Sequence, residues 1–116
     1  MADEIIDLLG LTKCAHVRIG SETVRGISGG EKKRVAVALG LIAHPRVVLL
    51  DEPTTGLDST TALDFVNAMR RLAARDATLL CTIHQPTEEI FNLFDKILVI
   101  GDGRRVYAGP PGGALE

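Results

Sequence analysis

The stretch Val47-Val48-Leu49-Leu50-Asp51-Glu52-Pro53 decides how the rest of the chain is read. Four consecutive apolar residues, two of them β-branched, suit a short strand buried in a parallel sheet. The run stops at two adjacent carboxylates. In open α/β sheets, ligands bind beyond the carboxyl ends of the strands. One carboxylate placed there can hold Mg²⁺, which takes oxygen ligands and keeps several waters. Its neighbour can orient or deprotonate a water that attacks a phosphate. The structural alternative is that Asp51 and Glu52 simply leave the strand into solvent, or that Asp51 opens a turn.

Upstream of this strand, Val35, Leu39 and Ile42 recur at i, i+4 and i+7, which predicts a helix from Glu31 that ends near His44-Pro45. Ser28-Gly29-Gly30 opens it. Free backbone N–H groups, a hydroxyl and the positive end of a helix dipole suit an anion there. An ordinary helix cap with Ser28 as N-cap explains the same residues equally well. The segment Gly26 to Arg34 is not a phosphate-cradling P-loop, because no Ser or Thr follows a Gly-Lys pair, and no such match occurs in the 116 residues. Ile5, Ile6, Leu8 and Leu9 mark a first helix that Gly10 stops, and residues 11–27 read as a connector.

Downstream, Asp58-Ser59-Thr60-Thr61 offers N-cap residues, with Ala62, Phe65, Val66, Met69 and Leu72 on one helical face. Thr78 to Ile83 reads as a second buried strand. His84 follows it directly and so shares the sheet edge with Asp51 and Glu52. Thr87 can cap a short helix carrying Ile90, Phe91 and Phe94. Ile97 to Ile100 is a third strand, and Gly101-Asp102-Gly103 turns the chain into Arg104 to Tyr107. The alternation of helix and strand is that of a parallel α/β sheet. So few strands would leave two exposed edges, which points to a part of something larger.

The 116 residues allow one domain at most, with 46% hydrophobic and 24% charged residues as in ordinary globular proteins. A net charge of −2 gives no basic excess for a nucleic-acid backbone. Cys14 and Cys81 form neither a disulfide framework nor a metal-type spacing, and Cys14-Ala15-His16 lacks further ligands. His16 and His44 read as surface or packing residues, and Lys32-Lys33-Arg34 as a solvated face. No apolar run approaches the roughly 20 residues that span a bilayer.

Taken together, these residues resemble the nucleotide-binding domain of ATP-binding cassette (ABC) proteins. Ile27-Ser28-Gly29-Gly30-Glu31 is similar to the ABC signature and Val47 to Glu52 to Walker B. Gly56-Leu57-Asp58 resembles the D-loop, and His84 the switch histidine. The wording of Val24 to Arg34, Asp51 to Ser59, Ile83-His84-Gln85-Pro86 and Tyr107-Ala108-Gly109-Pro110 is similar to the G subfamily, the white and pleiotropic-drug-resistance transporters. The resemblance implies an α/β fold: a partial P-loop NTPase domain, with a mainly parallel sheet flanked by helices and a C-terminal β-hairpin. It implies that residues 1–116 are the C-terminal part of such a domain, with the Walker A half and the transmembrane domain outside them.

The resemblance also implies ATP and Mg²⁺ as cofactors. A second nucleotide-binding domain would pair head to tail, a transmembrane domain would lie in the same full-length chain, and the ATPase would face the cytoplasm. Asp51 would hold Mg²⁺ through water, Glu52 would be the general base and His84 would read the terminal phosphate. Ser28, Gly29 and Gly30 would reach the ATP held by the partner, with Glu31 at the helix start and Asp58 spanning the interface. A soluble ABC-type ATPase and a non-catalytic half-cassette interaction module are the alternatives.

Overall fold

The computed structural model describes residues 2–114. The chain divides into two compact units, one up to His84 and one from Gln85. In the first unit, helix α1 (Ala2–Leu8) is stopped by a Schellman turn. The Leu11 N–H donates to the Ile6 carbonyl and the Gly10 N–H to that of Asp7, with Gly10 at φ 64°. A 3₁₀ turn at Thr12–Cys14 and an irregular connector lead to α2 (Gly29–Leu41). Strand β1 (Val47–Leu50), helix α3 (Ser59–Ala73) and strand β2 (Thr78–Cys81) complete the unit.

The interior is built from Ile5, Leu9, Leu11, Ile27, Leu41, Ala62, Phe65, Val66, Ala68 and Met69. Five of these lie on α3, whose apolar stripe was legible from spacing alone. Helix α2 differs from expectation. Leu39 and Ile42, two of the three residues that marked its apolar face, are 65% and 48% exposed, and the buried position is Leu41. Past the charged run Glu31–Arg34 the helix reads Val35-Ala36-Val37-Ala38-Leu39-Gly40-Leu41, apolar on every side, so spacing could not choose the face. Such a stretch is usually enclosed on all sides.

Strands β1 and β2 pair in parallel, with Val48 opposite Leu79 and Leu50 opposite Cys81. Both were expected to be buried, and both are sheltered on one face only. Val47, Leu49 and Leu80 are 60%, 70% and 64% exposed, while Val48, Leu50, Leu79 and Cys81 are half-buried. Helix α3 packs against β2. Parallel strands ordinarily have both faces covered; among the described residues this pair does not. Strand β2 is also shorter than the Thr78–Ile83 run: it ends at Cys81, and Thr82 bonds the end of β1 through both its N–H and its side chain.

In the second unit, Thr87 caps the short helix α4 (Glu88–Phe91), its hydroxyl accepting from the Ile90 N–H, and Phe94 lies past the helix end. Strands β3 (Ile97–Gly101) and β4 (Arg104–Gly109) form an antiparallel hairpin. Asp102 and Gly103, both at positive φ, make its two-residue turn. A bulge falls between Val99 and Ile100. The third strand therefore pairs with β4, and among the described residues parallel pairing is confined to β1 and β2. A 3₁₀ turn at Pro111–Ala114 follows, and the Tyr107 hydroxyl donates to the Pro110 carbonyl at 2.7 Å.

Candidate functional site

Asp51 and Glu52 leave β1 at the edge where β2 also ends. The Thr82 N–H donates to the Leu50 carbonyl at 3.0 Å, the last bond between the two strands. The Thr82 side chain then bridges to the next two residues. Its hydroxyl donates to Asp51 Oδ1 at 2.6 Å and accepts from the Glu52 N–H at 2.9 Å. Glu52 sits at φ 42°, a left-handed conformation unusual for a side chain of its size. Its carboxylate accepts from the Thr55 hydroxyl at 3.0 Å, and its carbonyl from the Thr55 N–H at 3.2 Å. Both acids are exposed, so these bonds order them within reach of solvent. His84, also exposed, follows Thr82 by two residues.

The turn after Glu52 leans on the start of α2. The Lys33 ammonium donates to the Thr55 carbonyl. A Cβ built on Gly30 would come within 2.6 Å of Leu57 Cδ2, so glycine lets this turn approach the helix closely. One loop thus touches both the strand-end acids and the Ser28-Gly29-Gly30 segment.

The two helix starts share a device. Ser28 forms a capping box: its Oγ accepts from the Glu31 N–H at 3.2 Å, and its own N–H donates to Glu31 Oε2 at 2.7 Å. These bonds from Ser28 hold the Glu31 carboxyl below its ordinary pKa. Asp58 caps α3 by accepting from the Thr61 hydroxyl at 2.6 Å and the Thr61 N–H at 3.0 Å, which lowers its pKa too. Burial, and then the nearby Glu31 charge, push the Cys14 thiol up, and burial does the same for Cys81. Neither cysteine is activated as a nucleophile.

Comparison with known proteins adds to this geometry. The family model described as ABC transporter matches residues 1–55. ABC transporter G family member 1 of Dictyostelium discoideum is 45% identical over 97% of the chain. Protein white of Drosophila melanogaster is 44% identical over 98%. The broad substrate specificity ATP-binding cassette transporter ABCG2 of Mus musculus is 45% identical over 97%. The chain belongs to the ABC transporter family and matches its G branch. It spans only 14%, 17% and 17% of the length of those three relatives. Among solved structures, the ATP-binding cassette MJ1267 superposes with a TM-score of 0.73 at 26% identity, covering 94% of this chain and 41% of that one. A second structure of that cassette, in its ADP conformation, gives 0.72.

Against the motifs of ABC proteins, the structure brings Asp51 and Glu52 into one hydrogen-bonded group and sets Gly30 against the Gly56-Leu57-Asp58 turn. The Ser28 hydroxyl and the Asp58 carboxylate are each engaged with their own helix. Among the described residues, no three His, Cys, Asp or Glu side chains converge on a metal position. Sequence reasoning missed Thr82, Thr55 and Lys33. Thr82 looked like one more strand residue, and Lys33 like part of a solvated charge run. Only the pairing register, which the sequence does not state, puts the Thr82 hydroxyl opposite Asp51.

Proposed function

We propose that residues 1–116 are the C-terminal part of the nucleotide-binding domain of a G-type ABC transporter, and that the whole protein couples ATP hydrolysis to export of a substrate. The observation that carries this reading is the paired carboxylate, Asp51-Glu52, held in a fixed bonding pattern at the strand-end edge. The identity of 44–45% to G family transporters over nearly the whole chain supports it.

The donor set suits Mg²⁺. Asp51 offers a hard carboxylate whose Oδ1 is engaged by Thr82, leaving Oδ2 for a water shell. One carboxylate plus substrate phosphates is the usual Mg²⁺ arrangement. When bound, the ion supplies charge neutralisation at the β and γ phosphates. Glu52 acts as general base toward the attacking water. His84 contacts the terminal phosphate. Ser28, Gly29 and Gly30, at the positive end of α2, close on the ATP of a second nucleotide-binding domain paired head to tail, with Glu31 holding the cap. Asp58 lies at that domain interface. The phosphate cradle comes from outside these 116 residues.

No helix among the described residues is long and apolar enough to cross a membrane. In this reading, a transmembrane domain of the same full-length chain carries the substrate, and the ATPase works on the cytoplasmic side. ATP and the second cassette are its partners, and nucleic acid is not. The test is Glu52→Gln in the complete protein in vesicles. Turnover should fall by about 10²–10⁴, the usual size of general-base catalysis, while Mg·ATP binding persists. Undiminished turnover would remove Glu52 from the role.

A further inference from the structure

Three places carry no role in the function proposed above. The first is a cleft lined by Ile5, His44, Arg46, Arg75 and Asp76 at the opposite end of β1 and β2; among the described residues no buried unpartnered group lines it. The second is the bare face of Val47, Leu49 and Leu80. The third is the Thr82 hydroxyl, and it carries the argument furthest.

We infer that Thr82 is a positioning residue of the ATPase site, its hydroxyl fixing the metal-side carboxylate and the general base in one geometry. The inference rests on the function proposed above. Thr82 lies 30 residues from Glu52 and 31 from Asp51 in sequence, so chain continuity does not explain the contact. One hydroxyl proton goes to Asp51 Oδ1, and one oxygen lone pair receives the Glu52 N–H. The bonds run in one direction, from the Glu52 amide through the Thr82 hydroxyl to the Asp51 carboxylate, so each polarises the next. A hydroxyl serves because it donates and accepts at once; an ammonium or a carboxylate has only one of the two capacities. The β-branch restricts χ1, so the oxygen stays aimed at the neighbouring strand end.

Two consequences follow for the chemistry. Asp51 cannot rotate both oxygens freely, so its Oδ2 is presented in one orientation. Glu52 is held at φ 42° by a bond to its own N–H, while Thr55 holds the other end of the residue through the carboxylate and the carbonyl. Without the Thr82 oxygen, the Glu52 amide loses its partner and the backbone is free to leave the left-handed region, carrying the carboxylate away. His84 follows the same anchor by two residues. Partners that orient a ligand carboxylate typically influence activity or metal affinity by about 10–100-fold when removed.

The experiment compares wild type, Thr82→Val, Thr82→Ser and Glu52→Gln in the complete transporter. ATP turnover, KM for ATP and the Mg²⁺ concentration for half-activation are measured, together with amide hydrogen exchange over the 51–57 peptide without nucleotide. Thr82→Val should lower kcat by about 10–100-fold with little change in KM, raise the Mg²⁺ requirement and speed exchange at the Glu52 amide. Thr82→Ser, which keeps the hydroxyl, should restore all of these. If Thr82→Val does not fold, Thr82→Ala takes its place in the same comparison. Wild-type turnover in Thr82→Val alongside an inactive Glu52→Gln overturns the role of Thr82 and leaves the proposed function standing. Equal loss in the Val and Ser variants also overturns it, because packing rather than the hydroxyl would then matter. Wild-type turnover in Glu52→Gln overturns the reading of the site and this inference together.

Discussion

The β1–β2 pair has an edge and a face that contrast sharply. At the edge, Asp51, Glu52 and Thr82 satisfy one another within a few ångströms, and Thr55 completes the arrangement. On the face, Val47, Leu49 and Leu80 stand more than half exposed. Polar bonds are short-ranged and close locally, so two strand ends and one turn suffice to build them. An apolar face is satisfied only by area, which must come from another layer. The site is therefore ordered by fewer residues than its core requires.

The largest expected effect separates the two faces of the sheet. Phe65, 2% exposed, lies on α3, the helix that packs against β2, and Phe65→Ala should cost about 3–5 kcal/mol in chemical denaturation. Leu49→Ala on the open face should stay within about 0.5 kcal/mol in the 116-residue chain, as surface changes do. In the complete protein, where further strands or helices would cover the face, the same Leu49→Ala should cost about 2–5 kcal/mol. Equal costs for Phe65→Ala and Leu49→Ala in the short chain would break the contrast. Equal and small costs of Leu49→Ala in both settings would show that nothing ever covers this face.

What was legible in the sequence follows the same division. Devices closed within a few residues could be read directly: Gly10 stopping α1, Ser28 and Asp58 opening their helices, and Asp102-Gly103 turning the hairpin. Each rests on φ preference or on a hydrogen bond of three to five residues' span. The adjacent acids at the end of β1 were legible for the same reason. Three features were not: the buried side of α2, the bare face of the sheet and the Thr82 bridge. A helix whose second half is apolar on every side does not name its buried face. A buried-looking run such as Val47–Leu50 does not reveal whether its cover lies within the same chain segment. A threonine near a strand end does not disclose which carboxylate faces it across 31 residues.

A smaller effect tests whether the edge and the signature-like helix are one body. Lys33 is exposed and reaches the Thr55 carbonyl, so its bond is partly offset by water. Lys33→Met should cost at most about 1 kcal/mol of stability. Its clearer mark should be faster amide exchange in residues 54–57, where the turn would lose its tie to α2. Unchanged exchange would mean that the Gly30–Leu57 contact alone keeps the turn against the helix.

The smallest effect concerns charge at the helix starts, and its sign can be worked out. Asp58 and Glu31 are both held below their ordinary pKa in the folded chain, chiefly by hydrogen bonds from Thr61 and from Ser28. A carboxyl with a depressed folded pKa stabilises the fold above its unfolded pKa, near 4, and loses that contribution as pH falls through the lower folded value. Helix content should therefore be flat from pH 7 to about 5 and decline below about 4. Asp58→Asn keeps an oxygen that can accept from the Thr61 N–H, so it should match wild type at neutral pH while showing a shallower acid decline. Circular dichroism across the acid range checks both. If Asp58→Asn is already less helical at neutral pH, the carboxylate charge at the start of α3, rather than the hydrogen bond, holds that helix end, and the two capped helices are not equivalent after all.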